Sequence, residues 1–282
     1  MILNHSAIGL LKCDRLYQLR VLLSIKESDD SDSLNFGNAM HKAIEAYHHA
    51  GRTLKNFDLL ATCNKLGDEF KLNATLRGKL IGTVTTLTGF VKFPLHDTED
   101  KPMVERKISF AADVDGTHVD VVGTLDEVHL NGNQTAIVLN DYKSSSYLTT
   151  PPLVEKYSFS SQLYYYMWML NQNRHLIPSP YTNLPLQANY TLVLYNKSPV
   201  TVAKTATIQP DDLLIEDMIE DSVRKIKRIE LLNQSGTIAA PLGRASDSCR
   251  YCGMKHICFS KLPLRDAINA AEKEPYDPLS FR

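Results

Sequence analysis

The chain has 282 residues, 43% hydrophobic and 22% charged, with 31 Lys and Arg against 32 Asp and Glu for a formal net charge of -1. That length and composition support a sizeable core in one large domain or two smaller ones, and they exclude the global basic field of a passive nucleic-acid coat protein. No stretch approaches the roughly 18 uninterrupted apolar residues that span a bilayer, and Met1-Ile2-Leu3-Asn4-His5 lacks the basic start and apolar run of a secretion signal, so no membrane partner and a cytoplasmic, reducing compartment are expected.

In chain order, the first ninety or so residues read as helical. Ser6 is placed to cap a helix through Ile8, Leu11, Leu16, Leu19 and Leu22. The acidic stretch Glu27-Ser28-Asp29-Asp30-Ser31-Asp32-Ser33 follows. It reads as a solvated loop, because the ligand spacing, central Gly and closing Glu of a calcium loop are missing. A second helix starts near Gly37 and carries Met40, His41, Ile44, Glu45 and Tyr47. From about Met103 the period changes to two, giving strands at Val104–Val114, His118–Leu130 and Thr135–Ser144. Between them lie Asp115-Gly116 and Asn131-Gly132-Asn133, hairpin signals because such turns need positive φ. A helix over Phe159–Asn171, strands at Asn189–Tyr195 and Thr201–Ile208, and a long amphipathic helix from Asp211 to about Leu232, opened by Pro210, complete the pattern. The expected fold class is α/β, a mixed central sheet flanked by helices. It comprises an N-terminal helical region over 1–92, a core over 93–210, and a C-terminal helix and cysteine module over 211–282, together one compact domain.

The chemistry concentrates on two strands. Asp141 and Lys143 are two apart in Ile137-Val138-Leu139-Asn140-Asp141-Tyr142-Lys143, so both project from one face, with Leu139 and Ile137 further in. In the preceding strand Asp126 interrupts the apolar run Val121-Val122-Gly123-Thr124-Leu125, and a carboxylate there is costly unless paired or bound to metal. Two such carboxylates on neighbouring strands can hold one or two Mg²⁺ ions, with Lys143 beside them to orient or deprotonate a water or to neutralise charge on a phosphate. The alternative for a bare D-x-K is a surface salt bridge on a hairpin, and the surrounding residues decide between the two.

Four motifs in order resemble the RecB-type branch of the PD-(D/E)XK nuclease superfamily: Gly37-Asn38-Ala39-Met40-His41, Gly123-Thr124-Leu125-Asp126, Asp141-Tyr142-Lys143-Ser144, and Gln162 with Tyr166 one helical turn on. The resemblance spans roughly Cys13 to Cys258. It implies a restriction-endonuclease-like core and Mg²⁺- or Mn²⁺-dependent hydrolysis of DNA phosphodiesters. By the same resemblance His41, Asp126, Asp141 and the backbone carbonyl of Tyr142 would bind metal, Lys143 would be the catalytic lysine, and Gln162 and Tyr166 would position the lysine or the DNA backbone. Glu105 is a further acidic candidate, either a ligand or a group behind the ligands. Taken singly, His41 also reads as a core or surface histidine and Gln162 with Tyr166 as a half-buried helix face. Tyr164, Tyr165 and Trp168 read as packing.

Five cysteines in a reducing compartment point to metal binding or packing rather than disulfides. Cys249-x-x-Cys252-x5-Cys258, with Cys13 as a fourth thiolate, resembles the iron–sulfur staple of the AddB, exonuclease V and CRISPR-adaptation nucleases, although Asp14 stands where that family usually has Pro. Four thiolates suit a 4Fe–4S cluster, and zinc, with His256 inside the group, suits as well; plain structural thiols are the third reading. Cys63 has no partner at motif spacing and reads as a buried apolar residue.

Arg224, Lys225, Lys227 and Arg228 form a basic turn on the last long helix, either a solvated face or a phosphate-binding run. The expected function is a DNA exonuclease acting on single strands or ends in repair, recombination or phage DNA metabolism, in a bacterial or phage-infected cell. The alternatives are a CRISPR-adaptation nuclease that trims spacer precursors and a non-catalytic iron–sulfur or zinc DNA-binding module. No G-x-x-x-x-G-K-[ST] loop is present, so unwinding would fall to a helicase or recombination partner.

Overall fold

A computed structural model describes residues 1–26, 32–146, 150–158, 160–241, 249 and 252–277. The chain falls into two compact units, one of Met1–Asp30, Ala111–Val122 and Leu213–Arg282, the other of Ser31–Phe110 and Gly123–Asp212.

The first unit opens with a strand, β1 (Ile2–Leu3), running parallel to Asp120 and Val121. Two residues carry no period, so a helix-only reading of this region misses it. Helix α1 (His5–Leu10) is capped by Asn4, whose Oδ1 accepts the Ala7 N–H, rather than by Ser6. The single helix expected through Leu22 is instead α1, a second short helix α2 (Asp14–Tyr17) and a π-turn over Gln18–Leu22. A tertiary demand accompanies that turn. Buried Gln18 donates through Nε2 to the Thr237 carbonyl at 2.8 Å and accepts the Ala239 N–H at 2.7 Å. Leu16, Leu19 and Ile25 pack with Met254, Ile257, Ala267 and Ile268 to form this unit's apolar core. Each buried Leu, Ile or Met among them contributes roughly 1.5–3 kcal/mol.

In the second unit, α3 (Asp32–His49) starts five residues before Gly37, so Asp32 and Ser33 of the acidic stretch are helical; residues 27–31 of that stretch lie outside the described residues. Helices α4 (Leu59–Glu69) and α5 (Ala74–Leu87) are capped by Asp58 and Asn73, which accept the N–H of Ala61 and Leu76 at 2.9 and 3.0 Å. Phe36, Met40 and Ile44 of α3 join Leu66, Leu80, Val84 and Leu87 in one core with Tyr142, Val193 and Tyr195, and Cys63 is buried among them as an apolar residue would be.

The strands are β2 (Val104–Val114), β3 (Thr117–Leu130) and β4 (Ile137–Ser145). The β2–β3 turn places Asp115 and Gly116 at φ of 49° and 65°, the two positive values that a tight hairpin requires. Helices α6 (Pro151–Ser158) and α7 (Gln162–Gln172) then lead to β5 (Leu186–Leu194) and β6 (Thr201–Lys204). The expected helix over Phe159–Asn171 is α7, and Phe159 lies outside the described residues. Helix α6 is masked in the sequence by Pro151-Pro152, residues that break a helix interior but fit its first turn. The expected strand to Ile208 stops at Lys204, with Ile208 left in an isolated bridge to Ala188. The sheet order is β1-β3-β4-β5-β6, with β2 also paired to β3. β3–β4 and β5–β6 are antiparallel, while β4–β5 is parallel, with α6 and α7 as the crossover such a pair needs. Helix α8 (Asp212–Gln234) follows after Pro210. The result is a mixed α/β fold whose six-stranded mixed sheet is flanked by helices.

Register divides the chemistry between two faces. Asp141 pairs with Tyr190 and Lys143 with Leu192, while Tyr142 pairs with Thr191 and Ser144 with Val193. Tyr142 and Val193 face α3–α5, whereas Tyr190 meets Tyr157 of α6 on the other face at a ring separation of 5.0 Å.

Candidate active site

The β3–β4 ladder runs from Leu130↔Ile137 to Glu127↔Asn140 and ends there, one residue short of Asp126 and Asp141. Beyond that point β4 continues against β5 alone. The Tyr142 N–H goes to the Asp126 carboxylate instead of a ladder carbonyl, at 2.8 Å from Oδ2. The strands therefore part where the two carboxylates stand. Asp141 is the central residue of the nine in β4 and Lys143 lies two further on, because β5 extends the strand to Ser145.

His41, on the buried face of α3, brings Nδ1 to 3.0 Å from Glu105 Oε1 and 3.4 Å from Asp126 Oδ2. Glu105 stands at φ 49°, a left-handed conformation that costs a non-glycine residue of order 1–3 kcal/mol and persists where surrounding structure enforces it. Among the described residues, His41, Glu105 and Asp126 alone form a set whose candidate ligand atoms lie within 4.8 Å of one another.

Asp141 is 2% exposed and bonds through Oδ2 to Lys143 Nζ at 2.7 Å. Burial, and then the nearby Asp126 charge, push its carboxyl up to about 6, against the pull of Lys143 and His41. Burial would lower the Lys143 ammonium, but Asp141 and Asp126 outweigh it and hold the group above its ordinary value. The Tyr166 phenol is raised by burial and by Asp141, so it stays a neutral donor, and Gln162 Nε2 donates to its oxygen at 2.9 Å. The two motif glycines mark close approaches. A Cβ on Gly37 would come 3.3 Å from Ser144 Oγ, and one on Gly123 would come 2.8 Å from Met169 Sδ of α7.

All the residues expected at this site thus gather in one unit, Glu105 included. Two further residues stand beside these: Tyr190, whose ring lies 6.0 Å from Lys143 Nζ, and Glu127, which accepts the Tyr142 hydroxyl. Tyr190 is found only through the β4–β5 register, and Glu127 only by noticing a second carboxylate beside Asp126. Trp168 packs edge-on against Phe110 at 4.9 Å and Tyr165 is fully buried, both as packing residues.

Cys13, Cys249, Cys252 and Cys258 lie in the other unit. Cys13, Cys252 and Cys258 pack against one apolar cluster. Burial raises the Cys258 thiol, Arg15 hydrogen-bonds to it and pulls it back, and Cys13 and Cys249 are near enough to push it up. Among the described residues these sulfurs do not form a set as tight as that of His41, Glu105 and Asp126. The basic turn belongs to the same unit. Lys225 pairs with Asp221 at 2.8 Å, Arg228 pairs with Asp14, Lys227 donates to the Asp115 carbonyl at 3.2 Å, and Arg224 is exposed.

A family model described as "PD-(D/E)XK nuclease superfamily" matches residues 6–259. No curated protein matches the chain. A solved structure described as "Crystal structure of SSO0001" is 16% identical, covering 90% of this chain and 96% of that one, with a TM-score of 0.36.

Proposed function

The chain belongs to the PD-(D/E)XK nuclease superfamily, and from that premise we propose that it is a Mg²⁺- or Mn²⁺-dependent deoxyribonuclease, an exonuclease on single strands or DNA ends serving repair, recombination or phage DNA metabolism. One observation carries the reading: His41, Glu105 and Asp126 converge within ligand distance beside the buried Asp141–Lys143 pair. Three buried carboxylates, Glu105, Asp126 and Asp141, face one ammonium, Lys143, and a divalent cation would offset the negative charge that Lys143 leaves unbalanced. The residues that would hold the ion are His41, Glu105, Asp126 and Asp141, with the Tyr142 carbonyl. Bound there, the ion supplies Lewis acidity toward a phosphate oxygen and lowers the pKa of a water.

The remaining roles fall to the chain's own groups. Lys143, held as an ammonium by Asp141 and Asp126, suits orienting the attacking water and offsetting charge on the phosphate better than removing a proton. Tyr166, steadied by Gln162, presents a neutral hydroxyl toward the same spot. Cys13, Cys249, Cys252 and Cys258 would hold a 4Fe–4S cluster that ties the ends of the chain together; the thiols grouped around Cys258 support this donor set, which zinc would also accept. Arg224, Lys225, Lys227 and Arg228 would contact DNA phosphates, and unwinding would come from a helicase partner.

The test is an assay on 5′- and 3′-labelled single-stranded and duplex DNA with Mg²⁺, Mn²⁺ or EDTA, using anaerobically prepared protein whose visible spectrum is recorded. Shortening from an end that is lost with EDTA and abolished by Asp141→Ala, with DNA binding retained, is expected. Cleavage by Asp141→Ala equal to that of the wild type would sink the assignment.

A further inference from the structure

Directly behind the carboxylate site lies a second buried acid that the reading above does not use. Glu127 is 1% exposed, next in sequence to Asp126 and on the opposite face of β3. Three groups converge on its carboxylate. The Tyr142 hydroxyl donates to Oε2, the Lys92 N–H donates to Oε1 at 3.2 Å, and His129 Nδ1 lies 3.0 Å from Oε1. Burial works to raise this carboxyl, but His129 and the Tyr142 hydroxyl more than offset it, so Glu127 is an anion. A buried charge of this kind adds little net stability compared with apolar residues of the same volume, so fold stability alone does not account for it.

Tyr142 links this acid to the site. Its hydroxyl is held by Glu127, its N–H is bonded to Asp126 Oδ2 at 2.8 Å, and its ring stands edge-on to His41 with centroids 6.4 Å apart. Its peptide groups also join Asp141 to Lys143. Fixing the far end of the ring therefore fixes the rotation of a residue that meets His41 and Asp126 and adjoins Asp141 in sequence.

We propose that Glu127 is a positioning residue for the metal site: by anchoring the Tyr142 hydroxyl it sets the Tyr142 backbone, and so orients the Asp126 carboxylate and the His41 ring for a divalent cation. The inference rests on the metal-site reading above. Groups that orient metal ligands from behind typically change affinity or activity by about 10–100-fold when removed.

The experiment measures Mn²⁺ binding to the full chain from the electron paramagnetic resonance signal of free Mn²⁺, for the wild type, Tyr142→Phe, Glu127→Gln, the double variant and Asp126→Ala. Tyr142→Phe keeps the ring and its packing, so it decides the matter even if Glu127→Gln does not fold. Both single variants should bind Mn²⁺ about 10–100-fold more weakly. The double variant should be no weaker than the worse single one, because the two residues act through one bond. In turnover, kcat should fall at low Mn²⁺ and recover as Mn²⁺ is raised, with KM for DNA unchanged. Wild-type Mn²⁺ affinity in Tyr142→Phe overturns the inference and leaves the nuclease reading standing, as does a double-variant loss equal to the product of the single losses. A wild type that binds no more Mn²⁺ than Asp126→Ala overturns both.

Discussion

In the carboxylate site, His41, Glu105, Asp126 and Tyr142 hold one another through bonds that the protein makes unaided, at 2.8–3.4 Å. In the cysteine group, Cys13, Cys252 and Cys258 share an apolar surface, but among the described residues their sulfurs do not close into a tight set. The difference tracks ligand chemistry. Carboxylates and imidazoles can satisfy one another by hydrogen bonds and so be arranged before an ion arrives, whereas thiols are weak donors and acceptors and have little to hold them in place except the metal itself. The first region is thus preorganised by the fold, and the second would be completed only by the cluster proposed for it.

The sharpest way to break this comparison is to remove one group from each region. Lys143→Ala should lower cleavage by about a thousandfold or more while leaving the visible spectrum of the protein unchanged. If these cysteines hold the proposed cluster, Cys258→Ser should do the reverse, lowering the midpoint by roughly 5 °C or more and bleaching the spectrum while turnover per folded molecule stays within about threefold of the wild type. Equal damage to turnover from both would show that the cysteine group shapes the site chemically. Next in size is stabilisation by the ion. At about 100 times its dissociation constant Mn²⁺ should add about 2.7 kcal/mol to the wild type and nothing to Asp126→Ala, read by thermal melts with and without EDTA. A midpoint that ignores Mn²⁺ would contradict a preorganised site.

The smallest effect concerns protons. His48, 6% exposed and next to Tyr47 in the α3 face, has its imidazole lowered to about 4 by burial, against the pull of Glu127 and with Arg52 adding to the fall. An unfolded histidine titrates near 6.5, so between these values the unfolded chain binds more protons than the folded one. The stability His48 contributes is complete above about pH 6.5 and is lost as the pH falls toward 4. His48→Phe should therefore shed fewer degrees of thermal midpoint than the wild type over that window, by a few degrees, and parallel curves would rule this histidine out as a source of acid sensitivity.

Much of this was legible in the sequence, for identifiable reasons. Strands β2, β3 and β4 announce themselves through period two and the Asp115-Gly116 turn, and Asp126, Asp141 and Lys143 through charges set into apolar runs. His41 and Gln162 needed the family pattern, since a lone helical histidine or glutamine carries no signal of its own. Tyr190 and Glu127 were illegible because their roles depend on which strands pair and in what register, and the parallel β4–β5 pairing joins segments about fifty residues apart. The break-up of the first helix was hidden for a similar reason: Gln18 answers to Thr237 and Ala239, far beyond any local window.

That parallel pairing also orders events in time. As the chain leaves a ribosome, His41, Glu105, Asp126, Asp141 and Lys143 are all made before β5, and until Leu186–Leu194 emerges β4 has an unpaired edge along its whole length. The strand that carries the Asp141–Lys143 pair is therefore the one whose support arrives late. A nascent or prematurely terminated chain would carry the motif residues without the scaffold that assembles them, and its open strand edge would be a place for aggregation rather than for cutting DNA.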